Sequence, residues 1–147
     1  MKEASEKKEK TGHVDFNIGG KRLASLTSFT FSDFGDLKQG SDYYNHFPNW
    51  GKRLFYVERI NGIDSMIKNK HPDKQVQTGY KQYDFLQKIL LQTGKLEHVF
   101  NFQYSTSSDI DRYDRLTETT GTGIAKSAQW YYGPQKRLMA AWNIYLP

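Results

Sequence analysis

A chain of 147 residues has the size of one domain and can bury a core without metal or cross-link. It contains no cysteine, which excludes disulfides, thiol nucleophiles and thiolate zinc sites and is compatible with a reducing compartment such as the cytoplasm. The net charge is +5, and the longest apolar runs, such as Ile89-Leu90-Leu91, are far too short for a membrane-spanning helix, so membrane insertion is not expected.

Residues 1–10 mix four Lys with three Glu and lack the apolar core of a secretory signal. Residues 1–12 read as a flexible charged arm, and residues 13–147 as a single domain. His13-Val14-Asp15-Phe16-Asn17-Ile18 alternates with Val14, Phe16 and Ile18 on one face. Gly19-Gly20 supplies two residues able to adopt positive φ, so a tight primed turn is expected there, with residues 21–31 as the return strand. Residues 32–49 carry Gly, Asp, Asn and Pro and read as irregular structure.

Residues 53–60 have strand composition. In Ile63-Asp64-Ser65-Met66-Ile67 the apolar residues are three and four apart, which predicts a short helix rather than a hairpin through Asn61-Gly62. A stronger helix is predicted over residues 80–93, with Thr78 as N-cap, Tyr83, Leu86, Ile89 and Leu90 as the buried stripe and Gly94 as C′. Leu96, His98, Phe100, Phe102 and Tyr104 alternate as a strand. Residues 125–132 and 137–146 read as two strands of a C-terminal hairpin around Gly133-Pro134-Gln135. The expected fold class is therefore α+β: an antiparallel sheet built from N- and C-terminal β-hairpins plus a central strand, with one or two helices on one face.

Residues 51–81 hold seven Lys or Arg against three acids, so the basicity belongs to the folded body and points to a polyanion partner, RNA ahead of DNA. Aromatic residues make up 15% of the chain, and two groups of them lie beside cations. Tyr43, Tyr44, Phe47 and Trp50 precede Lys52 and Arg53, with Arg59 following; Trp130, Tyr131 and Tyr132 precede Lys136 and Arg137. Rings interleaved with cations suit single-stranded nucleic acid, through stacking and phosphate contact. Metal-independent RNA cleavage would need an acid, a base and a cation at one phosphate, and His13, His98, Lys21 and Thr106 are the candidates.

No cofactor is expected. Thr120-Gly121-Thr122-Gly123-Ile124-Ala125-Lys126-Ser127 lacks the glycine that a phosphate-binding loop places before its lysine. Asp109, Asp111, Asp114 and Glu118 miss the spacing of a calcium loop, with Tyr113 and Asp114 where the fifth ligand and the glycine belong. The alternative class is a non-enzymatic structural subunit of a homo-oligomer, such as a virion or tail-like assembly, in which terminal aromatic strands interlock. A sugar or small-ligand site lined by Tyr and Trp is a third.

Overall fold

The computed structural model describes residues 2–4, 8–40 and 46–146. In chain order its elements are β1 (Lys2–Ala4), β2 (Glu9–Gly19), β3 (Leu23–Phe34), β4 (Leu37–Lys38), β5 (Phe55–Ile60), β6 (Ile63–Lys68) and β7 (Lys74–Gln75). They continue with β8 (Tyr80–Thr93), β9 (Leu96–Ser107), β10 (Ile110–Asp111), the single-turn helix α1 (Tyr113–Leu116), β11 (Tyr131–Tyr132) and β12 (Lys136–Tyr145). Six strands form one antiparallel sheet in the order β1-β2-β3-β8-β9-β12. Three two-stranded ribbons, β4–β7, β5–β6 and β10–β11, accompany it.

This architecture overturns the expected α+β class: the fold is mostly β, and among the described residues its one helix spans four residues. Residues 80–93, predicted helical, are instead the longest strand and pair along their length with β3 and β9. Both periodicities are present in that segment. Tyr83, Phe85, Ile89 and Leu91 alternate on one face, while Leu86 and Leu90 sit on the other, and together they imitate a helical stripe. A central strand bonded on both edges satisfies every backbone group, which decides between the two. Gly94 (φ 61) is therefore the first residue of a two-residue hairpin loop, closed by the Thr93–Leu96 pair.

Residues 63–67 are likewise strand, in β6. Asn61 (φ 51) and Gly62 (φ 81) both take positive φ, as a primed turn requires, and join β5 to β6. At Gly19-Gly20 the reverse holds: neither glycine has positive φ, and the chain turns over residues 20–22, with the Gly20 amide donating to the Leu23 carbonyl (2.7 Å). The C-terminal hairpin does not form. Tyr131–Tyr132 pairs with Ile110–Asp111, and β12 pairs along its whole length with β9. At the N-terminus, Lys2–Ala4 pairs with residues 9–11, so the division expected after residue 12 falls within β2.

Register sorts the sheet into two chemically different faces. Reading across β2, β3, β8, β9 and β12, one face carries the rows Val14, Phe29, Phe85, Tyr104, Leu138 and Ile18, Ser25, Ile89, Phe100, Trp142. Between them runs Phe16, Thr27, Gln87, Phe102, Ala140, whose amide is satisfied internally: Thr27 donates to Gln87 (2.7 Å) and Gln87 to Ser25 (2.8 Å). The opposite face carries His13, Thr30, Asp84, Ser105 and Arg137 in one row.

Neither sheet face contributes a large side chain to a closed interior, and the buried apolar residues among those described are Val57 and Leu116, both beside the ribbons. Arg53, 4% exposed, holds this second cluster: it donates to the Leu116 carbonyl (2.9 Å) and to Gln77 (3.3 Å) and lies 5.1 Å over the Tyr113 ring. Buried Asn69 ties the same cluster by donating to the carbonyls of Arg53 and Lys74 (both 2.9 Å).

Asp36 clamps the ribbons to the end of the sheet. Its carboxylate accepts from the backbone amides of Thr78 (2.9 Å) and Gly79 (3.0 Å) and pairs with Lys74 (3.0 Å). A side chain on Gly79 would press on the Phe34 carbonyl at 2.7 Å, so glycine is required there. Burial alone would raise the Asp36 pKa, but Lys74 and the two amides outweigh it and hold the group below its ordinary value. A depressed carboxylate contributes stability above its unfolded pKa and loses it as the pH falls through the folded one. Urea midpoints should therefore drop below about pH 4. Asp36→Asn should cost about 1–3 kcal/mol at neutral pH and flatten that acid limb; a variant with the parent's midpoint and acid limb would show the clamp to be inert.

Candidate functional site

The four residues considered for RNA cleavage separate into two places. His13 shares a hydrogen bond with Thr30 (2.8 Å) and lies 3.6 Å from Asp15 on the polar face. His98 belongs to the apolar face, bonded to Thr93 (2.8 Å) and stacked on Trp142 (ring centroids 5.9 Å apart) and Phe100 (6.4 Å). Their rows meet β8 at Asp84 and Leu91, about 23 Å apart along the strand. Lys21 lies in the loop at the His98 end, whereas Thr106 lies towards the His13 end, on β9. Within one chain no phosphate can reach both histidines.

The residues considered for nucleic-acid contact are also divided. Arg53 is buried and structural, and Lys52 has a partner of its own within the chain. Arg59 is held by Asp64 (2.6 and 3.1 Å), and each raises or lowers the other's pKa in the sense of a committed ion pair. Trp50 is 75% exposed, while Tyr43 and Tyr44 lie outside the described residues. Trp130 lies under Arg115 (5.7 Å) and Tyr132 under Arg112 (5.3 Å), cations already paired with Glu118 and Asp114. Each of those two rings has one of the chain's own guanidinium groups over it yet remains exposed (Trp130 47%, Tyr132 56%), as does Tyr131 (52%).

Lys136, Arg137 and Thr106 do come together. With Gln82, Ser105 and Ser107 they line a cleft of about 280 Å³ at the end of the sheet. Beside it, Ser105 donates to Asp84 (2.6 Å), which also accepts from Gln82 (3.0 and 3.1 Å). Serine bonded directly to the carboxylate, with His13 bonded to threonine instead, is not the relay of a nucleophile, base and orienting acid. Nearby Asp111 has its pKa raised by burial, then by Asp109 and Asp36.

A more cationic cavity was not evident from the sequence. Lys8, Lys38, Lys70, His71 and Lys74 surround about 500 Å³ together with Asp36 and Asp73. Its residues come from three separated segments joined by the β4–β7 ribbon, so no local pattern marks them. Among the described residues no three His, Asp or Glu side chains gather as metal ligands.

The largest feature is the apolar sheet face. Phe16 (63%), Ile18 (73%), Leu138 (65%) and Trp142 (60%) are open to solvent in the single chain. Comparison with family models, curated proteins and solved structures finds no match to this chain. The separation of the histidines leads to a direct expectation: any RNA cleavage by the purified protein should be unchanged in His13→Ala and His98→Ala. A loss of more than tenfold in both folded variants would restore them to a common site.

Proposed function

We propose that this chain is a non-enzymatic structural subunit that works as a homo-oligomer, with the apolar face of its sheet as a contact surface. The carrying observation is that face. The chain exposes 11212 Å², whereas a compact monomer of 17.1 kDa exposes about 7,800 Å². The excess, roughly 3,400 Å², is on the scale that obligate contacts remove, about 1,000 to 2,500 Å² or more from each partner. It suits a subunit that is covered by neighbours.

A second copy is a fitting cover. Aligned sheets stack about 10 Å apart with their apolar faces interleaved, and a two-fold axis makes one face complementary to itself. The polar atoms in the middle of the face are joined to one another, Thr27 donating to Gln87 and Gln87 to Ser25, so covering them leaves the Gln87 amide with partners for both its oxygen and its nitrogen.

Light scattering during gel filtration should give a mass that is a multiple of 17.1 kDa and does not change between 0.1 and about 1 M salt, because apolar contacts are not screened. Trp142→Lys on the face should weaken assembly by roughly 30- to 1,000-fold in concentration, as loss of an interface anchor does. A monomer at tens of micromolar would overturn the reading (order of magnitude for weak association). Flotation of the protein with liposomes would assign the face to lipid instead.

The lysine cavity favours a second reading, in which the protein binds a polyanion such as RNA. Four Lys against two carboxylates leave a net positive site spacious enough for phosphate groups. Lys38→Glu with Lys70→Glu should weaken binding of a fluorescent single-stranded oligonucleotide at least tenfold and reduce the steepness of its salt dependence by about two. Absence of binding by the parent at low salt would end this reading.

A further inference from the structure

We infer that copies of this chain join edge to edge in parallel, β12 of one copy against β2 of the next, so that assembly runs head to tail. The inference rests on the self-assembly proposed above and names its second contact.

Both edges of the sheet are open among the described residues. β12 is exposed along all ten residues and pairs only with β9. Its register from Lys136–Thr106 to Tyr145–Glu97 has no bulge, and it contains no proline. Its charges are confined to Lys136 and Arg137 at one end. At the other side β1 covers only residues 9–11 of β2, leaving residues 12–19 without an outer neighbour. Natural sheets protect long flat edges with prolines, bulges or scattered lysines, and unprotected edges pair with further strands.

Topology determines the direction of such pairing. β2, β3, β8, β9 and β12 are successive antiparallel neighbours, so the first and the fifth point the same way. Copies related by rotation about an axis roughly parallel to the strands keep that direction, and β12 then meets the next β2 in parallel. Charge favours this joint over a two-fold one. Residues 12–19 carry Asp15 and no Lys or Arg, and β12 carries Lys136 and Arg137 and no acid. Pairing either edge with itself gains no opposite-charge contact.

Arg137 shares a row with His13, so a shift of two residues brings Asp15 of the next copy beside Arg137 on the polar face. Closed barrels require a stagger of this kind between strands. A heterologous joint closes into a ring or continues as a filament. In both, the apolar face becomes continuous from copy to copy.

The cysteine-free chain allows a clean test, since introduced thiols are the only ones present. Asn17→Cys can be combined in turn with Met139→Cys, Ala141→Cys and Asn143→Cys, all on the polar face. Mild oxidation of at least one combination should give a ladder of covalent dimers, trimers and larger species, and no single-cysteine variant should cross-link. Hydrogen exchange on the unaltered chain provides a second readout. On assembly, alternate amides of both β2 and β12 should slow at least tenfold.

Covalent dimers from one single-cysteine variant, or slowed exchange in only one of the two strands, would replace the head-to-tail joint by a two-fold one. An assembly of full mass with no ladder and no slowed edge amides would remove the edge joint while leaving the face contact intact. A parent protein that scatters as a monomer would overturn self-assembly and this joint together.

Discussion

Backbone hydrogen bonding along β8 carries the fold. Its fourteen residues exchange ladder bonds with β3 on one side and β9 on the other, and β2 and β12 extend the sheet from there. A lone sheet satisfies its interior peptide groups but cannot cover its own faces, because successive side chains point to opposite sides. The ribbons do not solve this for the apolar face, where Phe16, Ile18 and Trp142 stay open. The exposed rings and open edges are two consequences of one constraint.

The ribbons have a different economy of contacts. Few apolar side chains are buried there, and polar groups hold the segments together: Arg53 through Leu116, Gln77 and Tyr113, Asn69 through three backbone groups, and Asp36 through two amides and a lysine. Buried polar groups tolerate this only when their partners are present. Arg53 retains one cost, a buried Nε without a hydrogen-bond partner. Arg53, a candidate for nucleic-acid contact by its charge and its place beside a ring cluster, is thus the centre of a structural network.

Charge and aromatic content also look different once they are placed. Arg112 and Arg115, some fifteen or more residues away in sequence, lie over Tyr132 and Trp130 and bond to Asp114 and Glu118, whereas Lys136 and Arg137, the cations that follow those rings, line the cleft at the end of the sheet. Lys8, Lys38, Lys70 and Lys74 share another cavity, beside Asp36 and Asp73. Side chains on opposite sheet faces cannot cooperate at one phosphate however suitable their chemistry, and His13 and His98 are such a pair.

The alternation in residues 13–18 and 96–104 was legible because a strand with chemically different sides writes its period directly into the sequence. Absence of cysteine was equally plain, and among the described residues no helix is long and apolar enough to cross a membrane. Residues 80–93 were not legible as strand, because a central strand with apolar groups on both sides loses its period of two and imitates a helix. Residues 125–132 looked like a partner for β12, but β12 found β9, a long-range choice that no local pattern encodes. By itself the sequence determined composition, charge and the alternation of two strands, which are local properties. Tertiary structure alone decided which faces stay open, which cations are buried and which histidines meet, because those depend on register between segments far apart in the chain.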